Sequence, residues 1–307
     1  MTPDPAHALV LTCPPASPCL TDALVTRAWR AIPKPARLEA RWLSPGEAWS
    51  GRFVADASAP PVAALRQQIS AIVDRLPCDV NIVPEAHRRK RLLVADMDST
   101  IIGQECIDEM ADALGRKAQI SAITERAMKG EFEFEAALRE RLALLAGLTK
   151  ADLVRVYNER ISLTPGARTL LATLRAEGAY TALVSGGFTF FTRLVAERAG
   201  FDETHANTLE FDRDDRLTGQ VAGAILGREA KLATLERLAA ERGIPMDATM
   251  AVGDGANDLA MIEAAGLGVA FRAKPVVAAK ADASIEHGDL TALLYLQGYD
   301  RREFIGN

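Results

Sequence analysis

The chain has 307 residues, 49% hydrophobic and 25% charged, with a formal net charge of −5. That length allows one large or two medium domains of ordinary globular composition. The acidic balance excludes a nucleic-acid partner held by a broad basic field, and no apolar run approaches the roughly 18 residues of a membrane span.

The opening stretch, MTPDPAHALVLTCPP, lacks a basic n-region, and prolines break its apolar run, so no signal peptide is expected. Residues 1–86 then read as a small α+β unit. HALVLTC is a strand, TDALVTRAWRAI (21–32) an amphipathic helix and ARLEARWL (36–43) an alternating strand. EAWSGRFVA, a helix over 61–76 and CDVNIV (78–83) complete a βαββαβ order, which suits a ferredoxin-like sandwich. The basic run HRRKR (87–91) reads as a solvated linker. Cys13, Cys19, Cys78 and Cys106 lack CxxC spacing, so reduced thiols in a cytoplasmic protein are expected, without a zinc site or disulfide framework.

From residue 87 to 307 the pattern is α/β. RLLVAD opens it, and four helical patterns follow between 104 and 162, with Thr149 and Asp152 spaced as a capping box. Strands resume at YTALVS (180–185), TMAVGD (249–254) and LGVAF (267–271), with helices between them and a polar hairpin over 208–223. Such alternation predicts a doubly wound parallel sheet, with the helical block inserted as a cap.

Ligands of such sheets bind beyond the carboxyl ends of the strands. The first of these strands ends at Asp96 and Asp98, the second in Ser185, Gly186 and Gly187, the third in Asp254, Asn257 and Asp258. Four carboxylates at one edge would repel strongly without a cation, and an all-oxygen set suits Mg²⁺. Glycines and a following helix N-terminus suit an anion. Lys231 falls on the apolar stripe of its helix with Leu235 and Leu238. A stem lying on the core would explain it; beside four acids and a phosphate, neutralising charge in phosphoryl transfer explains it better. Arg141 lies three residues after Leu138, towards the buried stripe of a cap helix, where either a structural ion pair or a substrate carboxylate would use it.

DMDST, SGG, a helical Lys and GDGANDLAM, in that order over about residues 91–290, resemble the haloacid dehalogenase superfamily of phosphotransferases. Within it, IIGQECIDEMA directly after the first motif and VGDGANDLAMI are similar to the phosphoserine phosphatase family, whose bacterial members often carry an ACT-like domain resembling residues 1–86. The resemblance implies Mg²⁺-dependent hydrolysis of O-phospho-L-serine, with Asp96 as nucleophile and Asp98 as general acid and base. Asp96, Asp98 through its main-chain oxygen, Asp254 and Asp258 would serve the metal. Ser185, Gly186, Lys231 and Asn257 would surround the phosphate, and Glu105 and Arg141 would take the amino-acid end between the apolar walls of Met128 and Phe134. A homodimer belongs to the same expectation. The rivals are a relative acting on another phosphorylated metabolite or an acceptor alcohol, and a sensor that keeps its aspartyl-phosphate and needs no cap.

Overall fold

The computed structural model describes residues 6–54, 60–128 and 134–306. The first unit runs β1 (Ala6–Thr12), α1 (Asp22–Arg30), β2 (Arg37–Ser44), β3 (Ala48–Val54), α2 (Val62–Val73) and β4 (Asp79–Pro84). Its sheet has the order β2-β3-β1-β4, with every neighbour antiparallel, so the βαββαβ order read from the sequence is present. Thr21 caps α1 by accepting the Leu24 N–H. Leu24, Val25 and Ala28 of α1, with Leu65, Ile69 and Val73 of α2, repeat at helical spacing and close over Leu9, Leu11 and Phe53 of the sheet.

Two expectations fail in this region. The basic run is docked rather than solvated: Arg88 Nε donates to Leu296 O (2.8 Å), and Lys90 Nζ donates to Asp247 O (2.6 Å) and Gly266 O (3.2 Å). Their long stems bury while carbonyls at the end of the chain and beside the core satisfy the cations; burial pushes Arg88 down to about 10 and Lys90 to about 8. Cys13 and Cys19 are also not free thiols but a disulfide, with Cα atoms 6.0 Å apart. The cause is a local turn. Cys13 N–H bonds Glu47 O and Leu20 N–H bonds Gly46 O, so the β2–β3 connection anchors both ends of CPPASPC and brings the two sulfurs together.

The larger unit carries β5 (Leu92–Ala95), four cap helices α3 (Cys106–Ala113), α4 (Lys117–Met128), α5 (Phe134–Ala143) and α6 (Lys150–Arg160), then α7 (Ala167–Ala176), β6 (Tyr180–Phe188) and α8 (Thr189–Ala199). It continues through β7 (Glu203–Phe211), β8 (Leu217–Ala222), α9 (Arg228–Glu241), β9 (Thr249–Gly253), α10 (Leu259–Ala264), β10 (Gly268–Phe271) and β11 (Ala283–Ile285). The sheet order is β11-β10-β9-β5-β6-β7-β8, parallel except for the hairpin strand β8. Alternate residues of β5 enter opposite layers. Leu93 and Ala95 join Leu170 and Phe191, while Leu92 and Val94 join Leu235 and Met261. This is a doubly wound sheet covered on both faces. Thr149 and Asp152 do form the capping box of α6.

The helical block leaves and re-enters the core through one paired stem. Ile102 bridges Leu163, Gly103 N–H bonds Ser162 O, and Gln104 exchanges two hydrogen bonds with Ser162. A second junction joins the two sheets. Asn81 pairs through its amide with the backbone of Ser284, and the buried Asp79 carboxylate accepts the N–H groups of Glu286, His287 and Gly288. Asp79→Ala would leave three inward-facing donors without an acceptor. It should lower unfolding free energy by about 2–4 kcal/mol, read as the denaturant midpoint, whereas Asp79→Asn should lose less.

Candidate active site

β5 sits at the centre of its sheet, between β9 and β6, so its carboxyl end faces the crevice between them. Asp96 follows that end and accepts the Met97 N–H with Oδ1 (2.8 Å). The chain then turns sharply through residues 97–101, with Ser99 in the left-handed region at φ 55°. That conformation costs on the order of 1 kcal/mol or more in a residue other than glycine. It is offset by Ser99 N–H to Gln104 O (3.2 Å) and Ser99 Oγ to Glu105 Oε1 (2.8 Å). The two acids take different partners. Asp98 is held by the Cys106 N–H on Oδ1 (2.8 Å) and the Ser185 hydroxyl on Oδ2 (3.1 Å).

Beneath Asp96 lies Lys231, 2% exposed, with Nζ 2.7 Å from Asp96 Oδ1 and 2.5 Å from Asp258 Oδ1. Burial works against its ammonium, but Asp96 and Asp258 outweigh that and hold the proton more firmly than usual. A cation shared by two buried carboxylates is not a stem resting on the core. Asp258 is fully buried, and its second oxygen accepts the Gly255 N–H (3.0 Å). Gly253 is required here: a Cβ on it would stand 2.4 Å from the Asp258 carboxyl carbon.

Carboxylate oxygens of Asp96, Asp254 and Asp258 lie within 4.8 Å of one another. Burial raises the proton affinity of all the acids that shift. Asp96 goes well up despite Lys231, Asp98 goes up, and Asp254 is pushed to about 6, with Asp258 adding to the effect. One lysine does not balance this much buried negative charge. The donors are oxygen only, which fits a hard divalent cation such as Mg²⁺ and not a thiophilic one.

Asp96, Asp98 and Asp254 open onto a cavity of about 520 Å³, whereas the buried Asp258 and Lys231 are not part of its lining. Asp96, Asp98, Ser185, Gly186, Asp254 and Asn257 line its core side, and Glu105 and Arg141 its cap side. Arg141 donates from Nε to Ala137 O (3.2 Å) and from Nη1 to Thr124 Oγ1 (3.4 Å), and among the described residues it forms no ion pair. Burial loosens its proton, against the pull of Asp108 and Glu105. Burial and the Asp98 charge push Glu105 up to about 7. Met128 closes α4 and Phe134 opens α5, but their side chains lie outside the described residues, so the apolar walls expected of them are not placed.

Sequence reasoning missed several residues. Asn207, 2% exposed on β7, donates to Gly186 O (2.8 Å) and accepts from Leu226 N–H (2.7 Å), fixing the end of β6 that carries Ser185. A polar Asn inside a strand was the available signal. Cys106, Thr124 and Lys274 also line the cavity, and nothing in their local pattern marks them.

The haloacid dehalogenase-like hydrolase family matches residues 93–263, and the chain belongs to that family. A phosphoserine phosphatase from Streptomyces coelicolor is 46% identical over 241 residues, which are 78% of this chain and 58% of that one. The chain thus spans rather more than half the length of that relative. Among solved structures, a HAD family hydrolase from Salmonella enterica serovar Typhi aligns over 95% of this chain and 98% of its own, with a TM-score of 0.83 and 32% identity. A substrate-bound phosphoserine phosphatase complex aligns over 67% of this chain and 97% of its own, with a TM-score of 0.62 and 40% identity.

Proposed function

We propose that the chain is a Mg²⁺-dependent phosphoserine phosphatase, hydrolysing O-phospho-L-serine to L-serine and phosphate in the cytoplasm as the last step of serine synthesis. The observation that carries this reading is the cavity itself. Paired acids, Ser185 and Asp254 stand on one wall, while a guanidinium with no ion pair among the described residues and a carboxylate, Arg141 and Glu105, stand on the other. The first wall suits a phosphate and the second a zwitterionic amino acid. Relatives and solved neighbours named as phosphoserine phosphatases support the same substrate.

Asp96 attacks phosphorus, the P–O bond to serine breaks, and an aspartyl-phosphate forms. Asp98 gives its proton to the leaving serine oxygen, then takes one from the water that cleaves the intermediate. The Cys106 N–H and the Ser185 hydroxyl fix Asp98 for both transfers. Lys231 holds Asp96 in place and offsets charge at the phosphate, beside Gly186 and Asn257. Asp96, the main-chain oxygen of Asp98, Asp254 and Asp258 would hold Mg²⁺, which when bound neutralises charge on the transferred group. A sensor that stored its phosphate would have no use for a second acid in contact with Ser185 or for a cap. A homodimer completes the reading, and sedimentation tests it.

The deciding experiment is steady-state phosphate release from O-phospho-L-serine against a panel of phosphomonoesters, with and without acceptor alcohols. Phosphoserine should give the highest kcat/KM, with phosphate going to water; preference for another ester would remove the substrate assignment. Chelation should abolish turnover and Mg²⁺ restore it. Ca²⁺ should inhibit, because its larger coordination shell would draw in both oxygens of Asp96. Full activity in excess chelator would exclude the metal assignment.

A further inference from the structure

Three of the four cysteines meet in the first unit, and none of the three lines the active-site cavity. The antiparallel register of β1 with β4 pairs Thr12 with Asp79, so the next residues outward, Cys13 and Cys78, face each other across the ladder. The loop after Cys13, anchored on the β2–β3 connection, returns Cys19 to the same place. The three sulfurs lie within 4.8 Å of one another, with Cys13 and Cys78 buried and Cys19 partly exposed. A disulfide between Cys13 and Cys19 uses two of them and leaves Cys78 beside it as a thiol, in weak contact with Asp79 O at 3.7 Å and with the backbone of Thr12.

Packing alone does not require this convergence: a small apolar residue at position 78 would fill the same space. A thiophilic cation would use it. Metal–sulfur bonds of about 2.3 Å place the sulfurs of a tetrahedral or trigonal site roughly 4 Å apart, a separation these three can reach. The sulfur donor set excludes Mg²⁺ and Ca²⁺ and selects a soft closed-shell ion. The Asp79 carboxylate is already committed to three backbone N–H groups, so a fourth ligand would come from solvent or a backbone carbonyl such as Pro77 O, 3.7 Å from Cys19 Sγ.

We propose that Cys13, Cys19 and Cys78 form a three-thiolate site for Zn²⁺ or Cu⁺, of which the Cys13–Cys19 disulfide is the oxidised, metal-free alternative. A dithiol reductant converts one state to the other. It gives two electrons and two protons to the disulfide, yielding two thiols and its own disulfide. Metal then binds as the three S–H groups release their protons to water and three metal–sulfur bonds form. The two states exclude each other, since a sulfur in the disulfide has no thiolate to offer.

The test uses the full chain, reduced and then freed of reductant, with Mg²⁺ present to occupy the carboxylates. One equivalent of Zn²⁺, or in a parallel arm Cu⁺ under anaerobic conditions, is added before an alkylating reagent, and each cysteine is followed by peptide mass spectrometry. Alkylation of Cys13, Cys19 and Cys78 should slow together by more than tenfold in at least one arm; the arm that protects identifies the ion. Equal rates with and without metal in both arms would overturn the site. So would protection of Cys13 and Cys19 without Cys78. Co²⁺ supplies an independent readout, because sulfur-to-cobalt charge-transfer absorption does not arise from carboxylates. The band should appear at one equivalent in the reduced protein and fall by more than half in Cys78→Ser. A full band in folded Cys78→Ser would also exclude the three-sulfur site, and if that variant fails to fold, protection of the wild-type thiols decides alone.

Discussion

Replacing Asp96 with Asn is expected to leave a folded protein whose phosphate release falls by at least about a thousandfold, the scale on which loss of a covalent nucleophile is felt. Asn is nearly isosteric, and its amide oxygen can still accept the Met97 N–H that Asp96 accepts now. Lys231 keeps Asp258 as an anionic partner at 2.5 Å, so no buried cation is stranded. The substitution also removes one of several crowded charges, since Asp258 and Asp98 both raise the proton affinity of Asp96. Metal-free Asp96→Asn should therefore unfold at the same denaturant midpoint as the parent or a higher one, while turnover is lost. That split is the informative part. A merely structural Asp96 would lose both together, and a variant retaining most of the parent rate would exclude the aspartyl-phosphate.

How much of this was legible beforehand depends on the range of the interaction. Leu92–Ala95 is an apolar run whose burial on both faces follows from composition alone, so the position of Asp96 at a central strand end was readable. Lys231 was readable because its helix stripe, with Leu235 and Leu238, had to face the sheet. The failures are contacts fixed by loops or by distant backbone. Arg88 and Lys90 look solvated in a run of five basic residues, yet their partners, Leu296, Asp247 and Gly266, lie more than 150 positions away. Cys13 and Cys19 pair because a turn is pinned to residues 46 and 47, which no cysteine spacing encodes. Asn207 holds Gly186 from a neighbouring strand, and only the pairing of β6 with β7 reveals it.

Specificity should reside on the cap, and Arg141→Ala is expected to raise KM for O-phospho-L-serine by an amount worth about 2–5 kcal/mol, the usual loss when one partner of a shielded charge pair is removed. Arg141 reaches the cavity with most of its donors uncommitted among the described residues. It spends one N–H on Ala137 O and one long bond on Thr124 Oγ1, and none on a carboxylate among the described residues. A guanidinium left in that state on a half-buried wall is a fork waiting for a planar anion. The Ala137 bond ties it back to its own helix, so the fork is oriented before substrate arrives and little entropy is lost on pairing. Glu105 stands on the same side of the cavity, held by the Ser99 hydroxyl at 2.8 Å, and would take the ammonium. A small aryl phosphate carries neither group. Its KM should change by less than about threefold in Arg141→Ala, the scale of an exposed charge effect, and Glu105→Gln should show the same selectivity. Arg141→Lys should recover part of the loss, since a point charge can pair with a carboxylate but not in two places at once. Equal losses for both substrates would mean that Arg141 shapes the cap or the chemistry instead, and the amino-acid half of the substrate would lose its physical basis.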